Sequence, residues 1–299
     1  MLVLEGTGAD VGSVAFTRDG TMLASAADGV VRLWDAHAGT LAAMLPQAEP
    51  VSEQADFTVL FAPDNRHLLV SSGRLGLALW DVREPRLVKR LVPPSRVRVA
   101  PGIGFAQDGR LLAARADVEH GLWAWDPVTW KEQRPLWRPE PGEKANVLAA
   151  EPDGFRVALS NRLILDGRTG RQVGHLGGDV VHYWVRDGGT FTWAAKRPLF
   201  AVAGSENSID VVDPNRAKRV TRLVVPSKEV RAFAFTPDGG TLVTVSDDGV
   251  ARSYDTDAWG ERQSRDLGIG ALRCVAVANG DRAAAGGQGG KVVVWDLDG

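Results

Sequence analysis

Two stretches near the start of the chain, Phe16-Thr17-Arg18-Asp19-Gly20 and Asp28-Gly29-Val30-Val31-Arg32-Leu33-Trp34-Asp35, decide how the rest is read. Each holds an Asp-Gly pair. The carboxylate bonds to nearby backbone and glycine accepts positive φ, so each pair marks a tight turn between extended runs. The flanking residues alternate with period two: Val14 and Phe16 with Ala15 and Thr17, Val31 and Leu33 with Arg32 and Trp34. Such alternation belongs to half-buried strands, and here it predicts strands near 13–17, 21–26, 30–34 and 40–45.

Both markers recur. Trp80-Asp81, Trp125-Asp126 and Trp295-Asp296 repeat Trp34-Asp35, while Leu165-Asp166, Val212-Asp213 and Tyr254-Asp255 hold the same place with the tryptophan replaced. Successive copies lie 40–47 residues apart. The turn ahead of each recurs as Phe61-Ala62-Pro63-Asp64-Asn65, Phe105-Ala106-Gln107-Asp108-Gly109, Glu151-Pro152-Asp153-Gly154 and Phe235-Thr236-Pro237-Asp238-Gly239. It is degenerate around Lys196-Arg197-Pro198 and Asn279-Gly280-Asp281. Seven units fill the 299 residues, so residues 1–299 are expected to form one repeat domain. The 34 glycines and 16 prolines are scattered throughout, and no run of 12 residues keeps a helical period. Four antiparallel strands in a repeat of this length make one propeller blade. The expected fold is all-β, a seven-bladed β-propeller of four-stranded antiparallel blades. Asp35, Asp81, Asp126, Asp166, Asp213, Asp255 and Asp296 end its third strands.

Ser13-Val14-Ala15-Phe16, the Asp-Gly turns and Val31-Arg32-Leu33-Trp34-Asp35 together resemble the WD-repeat family, and the resemblance covers essentially the whole chain. It implies a scaffold that binds partners on the face where blade-to-blade connections emerge, around the mouth of the central channel. Many members carry a Gly-His pair before a blade's first strand, and that histidine hydrogen-bonds towards the tryptophan through a Ser/Thr and an Asp. Here Thr7 follows Gly6, and no other unit has the histidine, so this buried polar network is expected to be incomplete. The last unit, Lys291-Val292-Val293-Val294-Trp295-Asp296, lacks a fourth strand; Leu2-Val3-Leu4-Glu5-Gly6 is expected to pair beside it and close the ring.

Composition narrows the function. Lys+Arg is 35 and Asp+Glu 37, a formal net charge of −2. A nucleic-acid binder needs a basic surplus to meet phosphate, so no nucleic-acid partner is expected. One cysteine, Cys274, excludes an internal disulfide and a Cys-cluster zinc site. No apolar run spans a bilayer, and the N-terminus lacks the basic region of a secretory signal. A cytoplasmic monomer without membrane partner is expected, and the Ala/Arg/Gly/Val-rich usage suggests a bacterial source.

Enzyme signals are weak. None of the five histidines sits at ligand spacing. Gly286-Gly287-Gln288-Gly289-Gly290-Lys291 has Val292 where a phosphate loop needs Ser/Thr, and reads as a hairpin turn. The recurrent aspartates are explained by repeat geometry better than by acid–base chemistry. No catalytic residue, metal site or cofactor is expected. Trp130 and Trp259, each four residues after its unit's Asp, are expected to cover a turn.

Charge is uneven: residues 1–60 carry net −6 and residues 83–98 net +5. Arg86, Lys89 and Arg90 fall on an outermost strand, where charge discourages edge pairing. Arg96 and Arg98 fall in the following loop. The connection 177–189 holds Tyr183, Trp184 and Arg186, residue types that dominate interface energetics. With His120 and Glu206 in turns of the same face, these are the candidate partner-binding residues. The expected function is a non-enzymatic interaction scaffold for a protein or peptide. The alternative is a small-ligand-binding or enzyme-associated regulatory propeller, a module of a larger kinase- or hydrolase-containing system.

Overall fold

The alternating runs pair as their pattern dictates. The computed structural model describes residues 1–6, 8–45, 57–72, 76–92, 102–115, 121–140, 148–151, 154–159, 163–176, 191–204, 207–227, 229–279 and 281–298. Blade one is an antiparallel sheet of Val11–Phe16, Met22–Ala27, Val30–Asp35 and Leu41–Leu45, in that order from the inside out. Blade two follows with Phe57–Phe61, His67–Ser72, Gly76–Asp81 and Arg86–Val92. Blade four is Leu148–Ala150, Arg156–Leu159, Leu163–Asp166 and Gln172–His175; blade five is Phe191–Trp193, Phe200–Ala203, Ser208–Asp213 and Lys218–Val224. Blade six is Val230–Phe235, Thr241–Ser246, Val250–Asp255 and Glu261–Asp266. Blade seven takes three strands from the end of the chain, Leu272–Val277, Arg282–Gly287 and Lys291–Asp296, and its fourth, Leu2–Glu5, from the beginning. Leu2 pairs with Val294 and Glu5 with Lys291, which is the expected closure.

Blade three corrects one expectation. Ile103–Phe105, Leu111–Arg115 and Gly121–Trp125 form a three-stranded sheet, and the outer place is held by two isolated bridges, Trp125 to Glu132 and Leu122 to Trp137. Pro135 lies between the bridges and has no N–H to give a ladder, so a continuous strand cannot form there.

Seven apolar clusters fill the seven seams between neighbouring blades. In every blade the residue before the conserved-position Asp turns towards the preceding blade. Trp34 packs with Leu4 and Val292, Trp80 with Leu33, Trp125 with Leu79, and Trp295 with Val243. Where a smaller residue stands, another ring makes up the volume. Val212 shares its seam with Trp193 and Phe200, whose rings are 4.8 Å apart, and Trp193 Nε1 donates to Ala149 O at 2.9 Å. Leu165 is packed by Phe155 and by Leu136 and Trp137 from the irregular edge of blade three.

In blades one to six the Asp ending the third strand caps the turn to the outer edge. Oδ1 of Asp35 accepts the His37 and Ala38 N–H at 2.9 and 2.8 Å, and that of Asp126 the Val128 and Thr129 N–H at 3.0 and 2.7 Å. Asp81, Asp166, Asp213 and Asp255 do the same. Four residues after the Asp, the backbone is left-handed at Gly39, Trp130, Gly170, Ala217 and Trp259. At Gly170 a Cβ would stand 1.8 Å from Leu136 O of the previous blade, so only glycine fits there. Trp130 is buried against Leu79 and Leu91, edge-on to His67, which is the covering role expected of it.

The same turns tie blade to blade. Lys89 Nζ donates to Trp130 O at 2.7 Å, Arg110 Nη1 to Arg168 O at 3.5 Å, Arg156 Nη1 to Asn215 Oδ1 at 2.7 Å, and Arg282 Nη1 to Ala36 O at 3.3 Å. Arg197 pairs with Asp257 at 2.5 Å. Each donor belongs to one blade and each acceptor to the next. Lys89 is thus a structural tie as well as an edge charge.

Two predictions follow from the closure and the caps. Deleting residues 1–5 exposes the edge of Lys291–Asp296 and should lower the melting temperature by several degrees; an unchanged melting curve would contradict the closure. The Arg66 hydrogen bond holds the Asp81 carboxyl at about 2, Arg168 does so for Asp166, and the Ala258 N–H together with Arg262 for Asp255. A folded pKa below the unfolded value of about 3.9 stabilises the fold above that value, and the contribution is lost as pH falls through the folded one. The melting temperature should therefore hold from pH 7 to about 5 and fall between about 4 and 2. Asp→Asn at these three positions keeps an acceptor oxygen and should flatten that fall.

Candidate functional site

The two faces of the ring differ in chemistry. On one, first-to-second and third-to-fourth strand turns are closed by their own aspartates and by the blade-to-blade ties. The other carries the second-to-third strand turns and the blade-to-blade connections, and its described part is best defined around blades six, seven and one.

Three inner strands open onto this face with a β-bulge. Val11 and Ser13 oppose Ala27 and Ala26, Val230 and Ala232 oppose Ser246 and Val245, and Leu272 and Cys274 oppose Gly287 and Gly286. The extra residues are Gly12, Arg231 and Arg273. A bulge leaves its residue out of the ladder and re-aims its side chain. Blade two keeps an unbroken register from Phe57 to Phe61.

The two re-aimed arginines join a chain of ion pairs across three blades. Glu229 meets Arg231 at 2.9 Å, and Arg231 grips both Asp247 oxygens at 2.6 and 2.8 Å. Arg273 reaches Asp247 at 3.4 Å on one side and Asp10 at 3.4 Å on the other. The Arg231 hydrogen bond holds the Asp247 carboxyl below the usual carboxylate range. Both arginine side chains keep about a third of their surface in water, 34% and 30%. Around them Glu5, Asp28, Asp248 and Asp266 are exposed, while Arg32 and Arg252 are buried beneath.

Those two buried arginines bear on the network expected to be incomplete. In blade one, Trp34 Nε1 donates to Ser25 Oγ at 2.9 Å, and Arg32, two residues before the tryptophan, lies beside Asp28. Blade six has Tyr254, Thr244, Arg252 and Asp248 at the matching positions. Arg252 Nη2 donates to Asp248 Oδ2 at 2.7 Å and to Pro226 O at 3.2 Å. An arginine from the third strand thus links the turn aspartate to the connection where other family members place histidine.

Several titratable groups elsewhere are engaged structurally. Asp210 is 1% exposed and held by Arg222 at 2.7 and 2.8 Å. His67 Nδ1 lies 2.6 Å from Asp64 Oδ2, and His37 Nδ1 lies 2.8 Å from Arg282 Nη1. Burial pushes the Cys274 thiol up to about 12, and its sulfur donates to Val11 O. Gly286-Gly287-Gln288-Gly289-Gly290-Lys291 is a hairpin turn, as read from the sequence. Among the described residues no three His, Cys, Asp or Glu side chains gather as a metal site, and no helix is long and apolar enough to cross a membrane.

The candidates Tyr183, Trp184, Arg186, Arg96, Arg98, His120 and Glu206 lie outside the described residues. The ion-pair chain escaped the sequence reading. Its only trace there is the shared second place of Arg231 and Arg273 in strands of equivalent units, and the bulges that give this place its meaning depend on the partner strand. Asp247→Asn should weaken two arginine contacts at once and lower stability by about 1 kcal/mol, measured by urea unfolding. Because the chain is half in water, 0.5 M salt should shrink that difference.

Comparison with known proteins supports the architecture. The family model for the WD domain, G-beta repeat, matches residues 1–35 and 218–255. The first match runs from the closing strand to Asp35, and the second covers the outer strand of blade five and blade six as far as Asp255. No curated protein matches the chain. These two matches, in register with seven blades closed by their terminal strands, support a WD-repeat β-propeller.

Proposed function

We propose that this propeller is a non-enzymatic scaffold that holds a protein or peptide on its loop face. Propellers of this family commonly mediate protein interactions. The observation that carries the reading is the chain Glu229–Arg231–Asp247–Arg273–Asp10. It holds two arginines on rigid inner strands between carboxylates of the adjoining connections and turn, all partly hydrated, and a rigid scaffold presenting variable loops is a common arrangement for recognition. On the opposite face the corresponding polar groups are consumed by caps and ties. Tyr183, Trp184 and Arg186, with Arg96, Arg98, His120 and Glu206, belong to this proposal as the contacts read from the sequence.

Affinity capture followed by cross-linking and mass spectrometry tests the reading. Cross-links should fall on the connections and on residues near 229, 247 and 273. Trp184→Ala or Tyr183→Ala should weaken partner retention by about 2 kcal/mol, roughly 30-fold, with the melting curve unchanged. Cross-links confined to the turns around Asp35, Asp126 and Asp255, or full retention by both folded variants, would overturn it.

A further inference from the structure

We infer that the seam between blades five and six carries a carboxylate-accepting site that opens on the loop face. This rests on the loop-face reading and names a chemistry for its partner. Along the second strand of blade six, Val243 and Val245 face blade seven, and Leu242 faces Ile209, Val211 and Leu223 of blade five. Alternation therefore turns Thr244 and Ser246 towards blade five. Arg252 pairs with Thr244 across the sheet and shares its side with Tyr254, which packs in the same blade-five seam. Ser227 sits in the connection between the two blades, where the Asn207 amide donates to its carbonyl.

On this one seam Thr244 Oγ1, Ser246 Oγ, Arg252 Nη1 and Ser227 Oγ are buried and have no hydrogen-bond partner. Together with the Tyr254 hydroxyl, which faces Glu261, they are the side-chain polar atoms in that condition among the described residues. Arg252 is 8% exposed, and its other terminal nitrogen already serves Asp248 and Pro226. Buried polar groups are costly unless paired, so their gathering on one seam of seven calls for a complement. A guanidinium can only donate and each hydroxyl can donate. The complement is therefore rich in acceptors, and a carboxylate takes about four hydrogen bonds. Exposed Pro226 and Asp248 rim the seam above Arg252, so the groups lie directly below the loop surface. The ligand chemistry is a carboxylate, supplied either by an acidic side chain of the bound partner or by a small free acid.

Formate is the probe for the free acid, measured by melting temperature against chloride at equal ionic strength. The wild-type chain should gain a few degrees. Thr244→Val and Ser246→Ala, which leave the Arg252–Asp248 pair intact, should lose that gain. The partner arm uses the captured partner's contact peptide with its Glu or Asp residues intact or changed to Gln or Asn. Preference for the acidic form, lost in Ser246→Ala, assigns the site to an acidic side chain; a formate response alone assigns it to a small acid. Two results overturn the inference, both with a wild type that gains nothing from formate: variants that melt higher than wild type, or variants that melt lower, which leaves ordered water as the occupant. A partner that cross-links elsewhere while the formate response persists would sink the loop-face reading and spare the site.

Discussion

The aspartate that ends the third strand in blades one to six is the contact on which the ring depends. One carboxylate oxygen accepts two successive backbone N–H groups, a charge-assisted arrangement stronger than a neutral pair. It fixes the turn, and the turn brings a left-handed residue against the preceding blade. At Gly170 that position meets Leu136 O with no room for a side chain, whereas at Trp130 the ring itself fills the gap between His67 and the blade-two core. The residue before the aspartate has wider latitude. Trp34, Leu165, Val212 and Tyr254 all serve, because seam volume can be restored from elsewhere, as Trp193 restores it beside Val212. A hydrogen-bond pattern admits few substitutes; a volume admits many.

This difference explains what was legible in the sequence. The caps require one residue type at one place in six units, and Asp296 stands at the matching place in the seventh, so Asp35 through Asp296 set the register of seven blades, and the closing strand followed from the unit left short. Blade three's outer edge was not legible, because a single Pro135 within an otherwise ordinary stretch breaks its ladder without disturbing the repeat. The bulges at Gly12, Arg231 and Arg273 depend on the register of two strands, which single-strand periodicity does not encode. The arginine link was written in the chain as Arg32 and Arg252, two residues before Trp34 and Tyr254. Read strand by strand, Arg32 is only one place in an alternating run, and its partner depends on the fold. Aromatic content led towards Tyr183 and Trp184, while the described contact geometry gathers charge instead, around Arg231, Asp247 and Arg273.

The two faces divide the work between them. On the turn face, many described polar side chains answer a need of the backbone or of the neighbouring blade: Asp caps, Lys89 on Trp130, Arg156 on Asn215, Arg282 on Ala36. Little is left to offer a partner. On the loop face the ion pairs at 3.4 Å between Arg273 and its two carboxylates are loose and partly hydrated. Pairs of that kind contribute little to stability, with a typical value of about 0–1 kcal/mol. Groups weakly committed to the fold can be re-paired by an incoming charge at small cost.

The polar seam between blades five and six belongs to the same division. A ring of seven seams spreads its apolar burial widely, so one seam can hold Arg252, Thr244 and Ser246 without loss of the fold. The neighbouring seam between blades six and seven is lined by Val243 and Val245 of the same strand and by Ala251 of the next. Within a single sheet, therefore, one side faces an apolar seam, and the other adds buried polar groups to its apolar cluster beneath exposed Asp248 and Pro226. Arg252 spans from the turn to the connection, with one nitrogen committed to structure and the other free to take an acceptor. A guanidinium divided in this way can anchor the loop and receive a ligand at once, because its planar fork presents separate edges to separate acceptors.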